Sequence, residues 1–469
     1  MRLIVEETVG RLSRELDGRA DEISILDPAC GNGAFLMGAH EYLAARCAGS
    51  RKRLLNCIYG ADLDEVALSQ ARRNLHAADS CTGAHLIHGD SLMNVDWHGE
   101  FPEIMARGGF DAVIGNPPWV SLAGRFGIRA YRDAEIEHLR RRFGGNSYMP
   151  NLFEYFVSLG LELTRPGGYF SFIVPDRLGF NRQFELLRRK LLLATELLTL
   201  VHGIRFPGVV ADTMVFVCRK TPPGRDAITE TRDWSGLSSS LRQADLLARP
   251  GCEFARPEDP RTGGIVRRME SLGGPMLGEV CEITSGFGGR SSLIADRRTS
   301  DDQIPVLKGE SIERYAVRKE YWFDFRAENL TGRTRVPAKL GASPKILIRK
   351  TGDRLIAAYD DSGRFPEQSL YFLFGFRDFD PRFVLGILNS RLMGVYYEAR
   401  CLTNRRTIAH AKMSDLARIP LPPVRPEQHD RLVALVDEML KTRSCEADID
   451  RLVWGLYGVE MEDLPPETW

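Results

Sequence analysis

Four segments of the sequence carry polar side chains directly after short apolar runs that are typical of buried strands. In the first, residues 26–36 (LDPACGNGAFL), an acidic residue ends the run and a glycine turn leads into a helical pattern. Glycine is required where the backbone passes close to a ligand, because a Cβ would occupy that space. The charge of Asp27 would repel a pyrophosphate on this turn. The turn therefore favours a cationic group, such as the α-ammonium of S-adenosylmethionine.

Two further acidic residues follow the next two apolar runs. Asp62, followed by Leu63, can accept both ribose hydroxyls of an adenosine ligand, and Asp90 can accept its amino group. One such carboxylate is commonly a helix cap or a solvated turn, but three at successive strand ends indicate one nucleoside-shaped site. The predicted cofactor-binding residues are Asp27, Ala29, Gly31, Gly33, Asp62, Leu63 and Asp90.

The fourth segment, residues 110–119 (FDAVIGNPPW), predicts a buried strand that ends in a stiff loop, because proline fixes φ and biases its predecessor toward extended backbone. The Asn116 amide oxygen and the Pro117 carbonyl can together accept both hydrogens of a planar amino group. Two acceptors stabilise the positive charge that develops as such a nitrogen attacks, as an oxyanion hole does with the opposite sign. Trp119 offers a face for stacking. The alternative is a tight surface turn anchored by its tryptophan.

The elements that must position these residues follow an alternating strand–helix pattern, which is typical of a parallel α/β sheet covered on both faces. This pattern ends near Thr221, and residues 223–262 are predicted to be a linker because they are polar, Ser-rich and broken by proline. The boundaries predicted are 1–222 for the α/β domain, 263–424 for a β-rich domain and 425–469 for a helical segment. A single helix is expected over 381–399.

Composition and length set the class of protein. The chain has 469 residues, which suggests two or three domains, and 43% hydrophobic with 27% charged residues is ordinary for a globular protein. No apolar run approaches the ~20 residues of a membrane span. Glu6 and Glu7 lie where a signal peptide would need an uninterrupted apolar segment, so a cytoplasmic location without membrane contact is expected. Nine scattered cysteines show no zinc-site spacing, so no metal is expected and the thiols are expected to be reduced.

The chain resembles the gamma-class S-adenosylmethionine-dependent adenine-N6 DNA methyltransferases of restriction–modification systems. The resemblance lies in the types and the order of the residues at 27–33, 62, 90 and 116–119. The resemblance implies a Rossmann-like class I methyltransferase sheet and S-adenosylmethionine as cofactor, with Asn116, Pro117 and Trp119 as catalytic residues. It also implies that the target adenine flips out of the duplex, since its reactive nitrogen is otherwise base-paired. The flipped base would stack on Trp119 and on Phe206, with a core phenylalanine as the alternative for the latter.

Residues 304–309, 344–350, 385–390 and 419–423 resemble the DNA-reading domain of the same enzymes. From 263 to 431 the chain has 28 basic and 21 acidic residues, and the hairpin-like stretch Thr331–Arg354 has seven basic residues and one acid. Such residues can neutralise phosphates or read guanine edges, although a charge run is often only a solvated face. The predicted contacts to double-stranded DNA are Arg333, Arg335, Lys345, Arg349, Lys350, Arg405 and Arg406.

Two departures from the family leave alternatives open. The chain is expected to begin within the helix that closes over the methionine end of the cofactor, so the lid is expected to be partial or absent. The fused N-terminal nuclease domain of single-chain enzymes is also expected to be missing, which leaves a separate restriction endonuclease or a partner subunit as possible partners. The Asn-Pro-Pro-aromatic motif also occurs in methyltransferases of RNA and of a protein glutamine amide. A modification or specificity subunit that is active only with a partner is the further alternative.

Overall fold

The computed structural model describes residues 1–16, 22–46, 54–78, 83–122, 131–146, 150–204, 212–234, 236–352, 354–403 and 410–460. The chain divides into two units, Met1–Pro257 and Glu258–Trp469. In the described part of the chain, no helix is both long enough and apolar enough to cross a lipid bilayer. The cysteines that the structure describes are free and buried.

The first unit is organised by one sheet, in which nine strands of the described residues take the order β3-β2-β1-β4-β5-β7-β6-β8-β9. Strands β1–β5 run parallel, whereas β7 is antiparallel to both of its neighbours. The Rossmann-like class I methyltransferase fold that the sequence predicts is confirmed. The strands are β1 Ile25–Asp27, β2 Ile58–Asp62, β3 His85–His88, β4 Phe110–Gly115, β5 Thr164–Pro175, β6 Glu196–His202, β7 Thr213–Arg219, β8 Ile228–Asp233 and β9 Ser238–Arg242.

Helices cover both faces of this sheet, and successive residues of a strand therefore bury on opposite sides. In β4, Val113 packs into one apolar cluster, whereas Ala112 and Ile114 pack into the cluster on the other face. A strand that is buried on both faces is mostly apolar, which is why β4 is easily recognised in the sequence despite Asp111. The helices are Arg2–Glu7, Val9–Glu15, Ala34–Ala44, Glu65–Ala78, Trp97–Glu100, Pro102–Ala106, Asp133–Phe143, Leu152–Leu163, Arg177–Phe180, Glu185–Ala194 and Gln243–Ala248.

The segment 223–262, expected to be a linker, contains two strands of the sheet. Strand β8 pairs in parallel with β6, and β9 pairs antiparallel with β8. The buried face of β8 is formed by Thr229 and Thr231, whose hydroxyls donate to the carbonyls of Leu197 and Ala255. Because its buried positions are threonines satisfied in this way, β8 lacks the apolar run by which the other strands were recognised.

The second unit is mixed and rich in short strands, as expected. Its strands are Glu282–Ser285, Phe287–Gly289, Gln303–Leu307, Ile312–Glu313, Ala316–Val317, Tyr321–Asp324, Leu330–Arg333, Lys345–Arg349, Ala357–Asp360, Phe365–Pro366, Leu370–Phe374, Leu402–Thr403 and His410–Ala411. Its helices are Pro260–Ser271, Leu277–Val280, Pro337–Leu340, Pro381–Asn389, Arg391–Tyr396, Met413–Leu416, Pro426–Thr442 and Glu446–Tyr457.

Two local expectations for this unit were wrong. The single helix over 381–399 is interrupted at Ser390, which has extended backbone and caps the next helix by accepting from the Met393 N–H at 3.1 Å. The stretch 331–354 is not a hairpin, because its two strands belong to different sheets. Leu330–Arg333 pairs with Phe287–Gly289, whereas Lys345–Arg349 lies between two other strands of a four-stranded sheet.

Candidate functional site

The four predicted polar positions meet at one edge of the sheet in the first unit. Strands β3, β2, β1 and β4 are adjacent and parallel, so their carboxyl ends lie side by side. The register pairs Asp27 with Gly60 on β2 and pairs Leu26 with Val113 on β4. Ligands of open α/β sheets bind in the crevice beyond such strand ends. The fold therefore places Asp27, Asp62, Asp90 and Asn116 at the position where this crevice forms.

Asp27 is the most buried of these residues, with 1% of its surface exposed. Its Oδ1 accepts the Ala29 N–H at 3.0 Å. A Cβ at Gly115 would lie 2.5 Å from the same oxygen, so only glycine fits at the end of β4. Burial, reinforced by the nearby charge of Asp62, raises the pKa of Asp27 to about 7. A cationic ligand group at this carboxyl would restore its charged form.

The glycine turn is joined to the end of β2 by hydrogen bonds, one of which runs from the Cys30 N–H to the Ala61 carbonyl at 3.0 Å. The Gly31 N–H donates to Oδ2 of Asp62 at 2.7 Å, while Oδ1 of Asp62 accepts the Asp64 N–H at 2.9 Å. Gly31 and Gly33 both have positive φ, +53° and +81°. A Cβ at Gly31 would meet no atom of the described residues within 4 Å, so these residues leave space above the turn. Each oxygen of Asp62 keeps a lone pair for a further donor.

Asp90 is held by donors on both of its oxygens. Oδ1 accepts the Leu92 N–H at 2.9 Å, and Oδ2 accepts the hydroxyl of Tyr131 at 2.7 Å. Tyr131 was not anticipated from the sequence, since it lies 41 residues further along the chain and no local pattern marks it. Leu63, the other predicted contact on this side, is 66% exposed.

The Asn-Pro-Pro-Trp loop exposes the amide of its first residue. The Asn116 side chain is exposed and, within the described ranges, forms no hydrogen bond. Pro117 is buried, whereas Trp119 is partly buried and packs against the clusters on both faces of the sheet. The indole Nε1 of Trp119 is buried without an acceptor among the described residues. The loop is thus anchored by its tryptophan and presents the asparagine to solvent.

Phe206, the second predicted stacking residue, lies outside the described residues, so its role stays a prediction. The described residues on either side of it are at the same edge as the other site residues. The Gly203 N–H donates to the Thr213 carbonyl at 2.9 Å, and the Thr213 hydroxyl donates to the Ile204 carbonyl at 2.6 Å.

The structure gives the predicted DNA-binding residues of the second unit different environments. Lys345 is fully buried, with its Nζ 3.1 Å from Oδ2 of the equally buried Asp360. This lysine cannot reach a phosphate, so its assignment to DNA binding is corrected to a structural ion pair. The Arg349 guanidinium donates to the backbone carbonyls of Gly309, at 2.8 Å, and Ile312. Those contacts give it a structural role as well.

Three of the other predicted cations are accessible or partly so. Arg333 and Arg335 are exposed. Lys350 is partly buried and donates to the Ser285 hydroxyl at 2.6 Å. Burial, reinforced by the positive charge of Arg333, lowers the pKa of Lys350 to about 8. Arg405 and Arg406 lie outside the described residues.

Two family profiles match this chain. Residues 56–205 match the Eco57I restriction-modification methylase, and residues 304–421 match the TaqI-like C-terminal specificity domain. The first match covers β2 to β6 with the Asn116 loop, and the second covers most of the strands of the second unit.

Similar proteins of known description include three methyltransferases. A Methanocaldococcus jannaschii protein described as a type II restriction enzyme and methyltransferase, RM.MjaORFECS2P, is 24% identical over 81% of this chain and 33% of its own length. The type II methyltransferase M.VspI of Vibrio sp. is 26% identical over 43% of each chain. The adenine-specific methyltransferase PglX of Streptomyces coelicolor is 25% identical over 28% of this chain and 15% of its own length. The chain thus spans less than half the length of these relatives.

Solved structures share the fold. The type IIL restriction-modification enzyme MmeI, solved in complex with DNA, aligns with a TM-score of 0.63 and 13% identity over 99% of this chain and 73% of that one. A nuclease-deletion mutant of the type ISP enzyme LlaGI, solved with a DNA substrate mimic, aligns with a TM-score of 0.59 and 10% identity over 94% of this chain and 46% of that one.

Proposed function

Since the chain carries a restriction-modification methylase domain of the Eco57I family and a TaqI-like C-terminal specificity domain, we propose that it is a site-specific DNA methyltransferase. Its proposed substrate is the N6 amino group of adenine in double-stranded DNA, and its proposed methyl donor is S-adenosylmethionine. The observation that carries the proposal is the exposed Asn116 amide, which lies one residue beyond Gly115, where a Cβ would meet the buried carboxyl of Asp27.

The donors and acceptors at the sheet edge fit S-adenosylmethionine. Asp62 keeps two lone pairs for ribose hydroxyls, and the space above Gly31 admits a ligand close to the backbone. The raised pKa of the buried Asp27 marks a carboxyl that gains from a nearby cation. When bound, the cofactor supplies an electrophilic methyl group on a sulfonium.

Asn116 and Pro117 would act on the target amino group. The amide oxygen of Asn116 and the carbonyl of Pro117 accept its two hydrogens, which favours a pyramidal nitrogen with an available lone pair. As the N–C bond forms and the S–C bond breaks, the same acceptors stabilise the positive charge that grows on the nitrogen. The nitrogen then gives up one proton to solvent, so no general base has to act before the transfer.

Trp119 is proposed to stack on the flipped adenine, and removing its ring tests this role. Trp119→Ala is expected to weaken capture of the target base about 10-fold, because stacking on an aromatic side chain contributes ~1–3 kcal/mol per base. The fluorescence of 2-aminopurine at the target position measures capture, since it rises when the base leaves the stack. Trp119→Phe retains a flat ring and is the matched control. Equal fluorescence changes in the alanine variant and the wild type would contradict stacking.

Cofactor binding is expected to depend on pH through Asp27. Its pKa of about 7 in the free protein means that the carboxyl becomes protonated as the pH falls below 7, and a neutral acid does not attract the ammonium group of the cofactor. The dissociation constant of S-adenosylmethionine should therefore rise about 10-fold between pH 8 and pH 6. Calorimetric titrations at both pH values measure it. Asp27→Asn removes the titrating group, and a persistent 10-fold change in that variant would contradict this assignment.

The second unit is proposed to bind the DNA duplex. Arg333, Arg335 and Lys350 are the predicted cations that remain at or near the surface, and such side chains neutralise phosphates with release of counterions. Arg405 and Arg406 remain proposed contacts from the sequence.

Two experiments test the function. The first measures transfer of a labelled methyl group to DNA by the purified chain. The second expresses the chain in a host and sequences the host genome with a method that reports modified adenines. Label in duplex DNA at one recurring adenine-containing sequence would support the proposal. Label only in RNA or in a release-factor protein would overturn it. Because the relatives are longer, the assay is repeated with a co-expressed restriction endonuclease or subunit, and activity only in that arm would identify a modification subunit.

A further inference from the structure

An insertion follows the Asn-Pro-Pro-Trp loop and returns to it. Ser121 and Asn151 form an isolated antiparallel bridge, and the Leu122 N–H donates to the Pro150 carbonyl at 2.9 Å. Leu122 and Pro150 therefore lie side by side directly after the loop that carries Asn116, and the name insertion is used for the part of the chain between them. Within this insertion, the helix Asp133–Phe143 is held by its buried residues Leu139 and Phe143.

The described part of this insertion contacts the loop after β3 at two points. The Tyr131 hydroxyl donates to Oδ2 of Asp90 at 2.7 Å, and the Arg142 guanidinium donates to the Leu92 carbonyl at 3.2 Å. These contacts join the segment that follows the catalytic loop to the loop that carries the acceptor for the adenine of the cofactor. The Leu92 N–H completes the arrangement by donating to Oδ1 of Asp90 at 2.9 Å.

The hydrogen bond between Tyr131 and Asp90 leaves acceptor positions on the carboxylate for a ligand. A carboxylate has about four acceptor positions, and Asp90 uses two of them for Tyr131 and Leu92. Burial, with the charge of Asp90, raises the pKa of Tyr131, so the phenol stays protonated at neutral pH and its O–H remains available to donate to the carboxylate. A hydrogen bond to a charged acceptor is strong and directional. The tyrosine thus fixes the plane of the carboxylate without using up its acceptor capacity.

We propose that Tyr131 is a positioning residue for the adenine of the methyl donor, because its hydroxyl holds the Asp90 carboxylate so that a free lone pair meets the exocyclic amino group. This inference rests on the proposed S-adenosylmethionine site. It assigns Tyr131, which follows the Asn116 loop in the chain, a role in cofactor recognition and in the specificity for an amino-bearing purine.

Two product analogues test the proposal by calorimetry. S-adenosylhomocysteine carries the 6-amino group, whereas S-inosylhomocysteine carries an oxo group in its place. In the wild type the adenosyl compound should bind at least about 10-fold more tightly. In Tyr131→Phe, which removes only the hydroxyl, adenosyl binding should weaken about 5-fold and inosyl binding should stay unchanged. When Asp90 is already replaced by asparagine, Tyr131→Phe should have no further effect on the ratio of adenosyl to inosyl affinity.

Tyr169→Phe is the matched control, because the Tyr169 hydroxyl also donates to a carboxylate, that of Glu15 at 2.6 Å, on an element that is not part of the site. Its adenosyl-to-inosyl ratio should equal that of the wild type. If the wild type discriminates and Tyr131→Phe keeps the same ratio or binds the adenosyl compound more tightly, the role of Tyr131 is overturned while the proposed function stands. If the wild type binds neither compound, the cofactor site is overturned together with this inference.

Discussion

Replacing Asn116 with alanine is expected to lower the rate of methyl transfer at least about 100-fold while S-adenosylmethionine still binds. The amide is exposed and has no hydrogen bond within the described ranges, so its removal deletes an acceptor without breaking a contact of the fold. Loss of one pre-organised partner for developing charge commonly costs ~10²–10³ in rate. Single-turnover transfer of labelled methyl measures the rate, and calorimetry measures cofactor binding.

Asn56→Ala is the control for that substitution. Asn56 is also an exposed asparagine, but it precedes β2 and therefore lies at the opposite edge of the sheet. Its transfer rate should match that of the wild type. Turnover by Asn116→Ala at the wild-type rate would refute the role of the amide, whereas simultaneous loss of cofactor binding would show that the loop supports the cofactor instead.

Replacing Lys345 with alanine is expected to destabilise the second unit by about 3 kcal/mol. The lysine and Asp360 are both fully buried, and removal of one member of a buried pair leaves the charge of the other less well compensated. Asp360 keeps hydrogen bonds from Arg364 at 2.8 Å and from Ser362 at 2.7 Å, which limit the loss. The melting temperature should fall by roughly 6–12 °C, as measured by calorimetry.

Lys339→Ala provides the comparison, because Lys339 pairs with Glu282 at 2.9 Å in a bridge whose side chains are about half exposed. An exposed pair contributes at most ~1 kcal/mol, so this variant should melt close to the wild type. The slope of DNA affinity against salt should not change in Lys345→Ala once unfolding is taken into account. If the Lys345→Ala protein is as stable as the wild type and its DNA affinity depends less steeply on salt concentration, Lys345 contacts DNA. That result would contradict its assignment to a buried ion pair.

The sequence alone was sufficient for the framework of the proposed site. Each of Asp27, Asp62 and Asp90 ends or follows an apolar run, and parallel strands bring such ends to one edge whatever the loops between them do. The loop at Asn116 was equally clear, since a fully buried strand and two prolines restrict its backbone. These signals are local. Apolar runs, glycine and proline each constrain the backbone over only a few residues, so their effect can be predicted from one sequence.

Only the tertiary structure decided which long-range partners these residues have. Tyr131 hydrogen-bonds Asp90, which lies 41 residues earlier in the chain. Lys345 was predicted to bind DNA because it lies in a run of basic residues, but it is buried against Asp360 of a neighbouring strand. The β8 strand was hidden for the same reason, because its buried threonines are satisfied by carbonyls of distant segments. Burial and hydrogen bonding between remote segments depend on how the chain packs, and composition and spacing do not encode that packing locally.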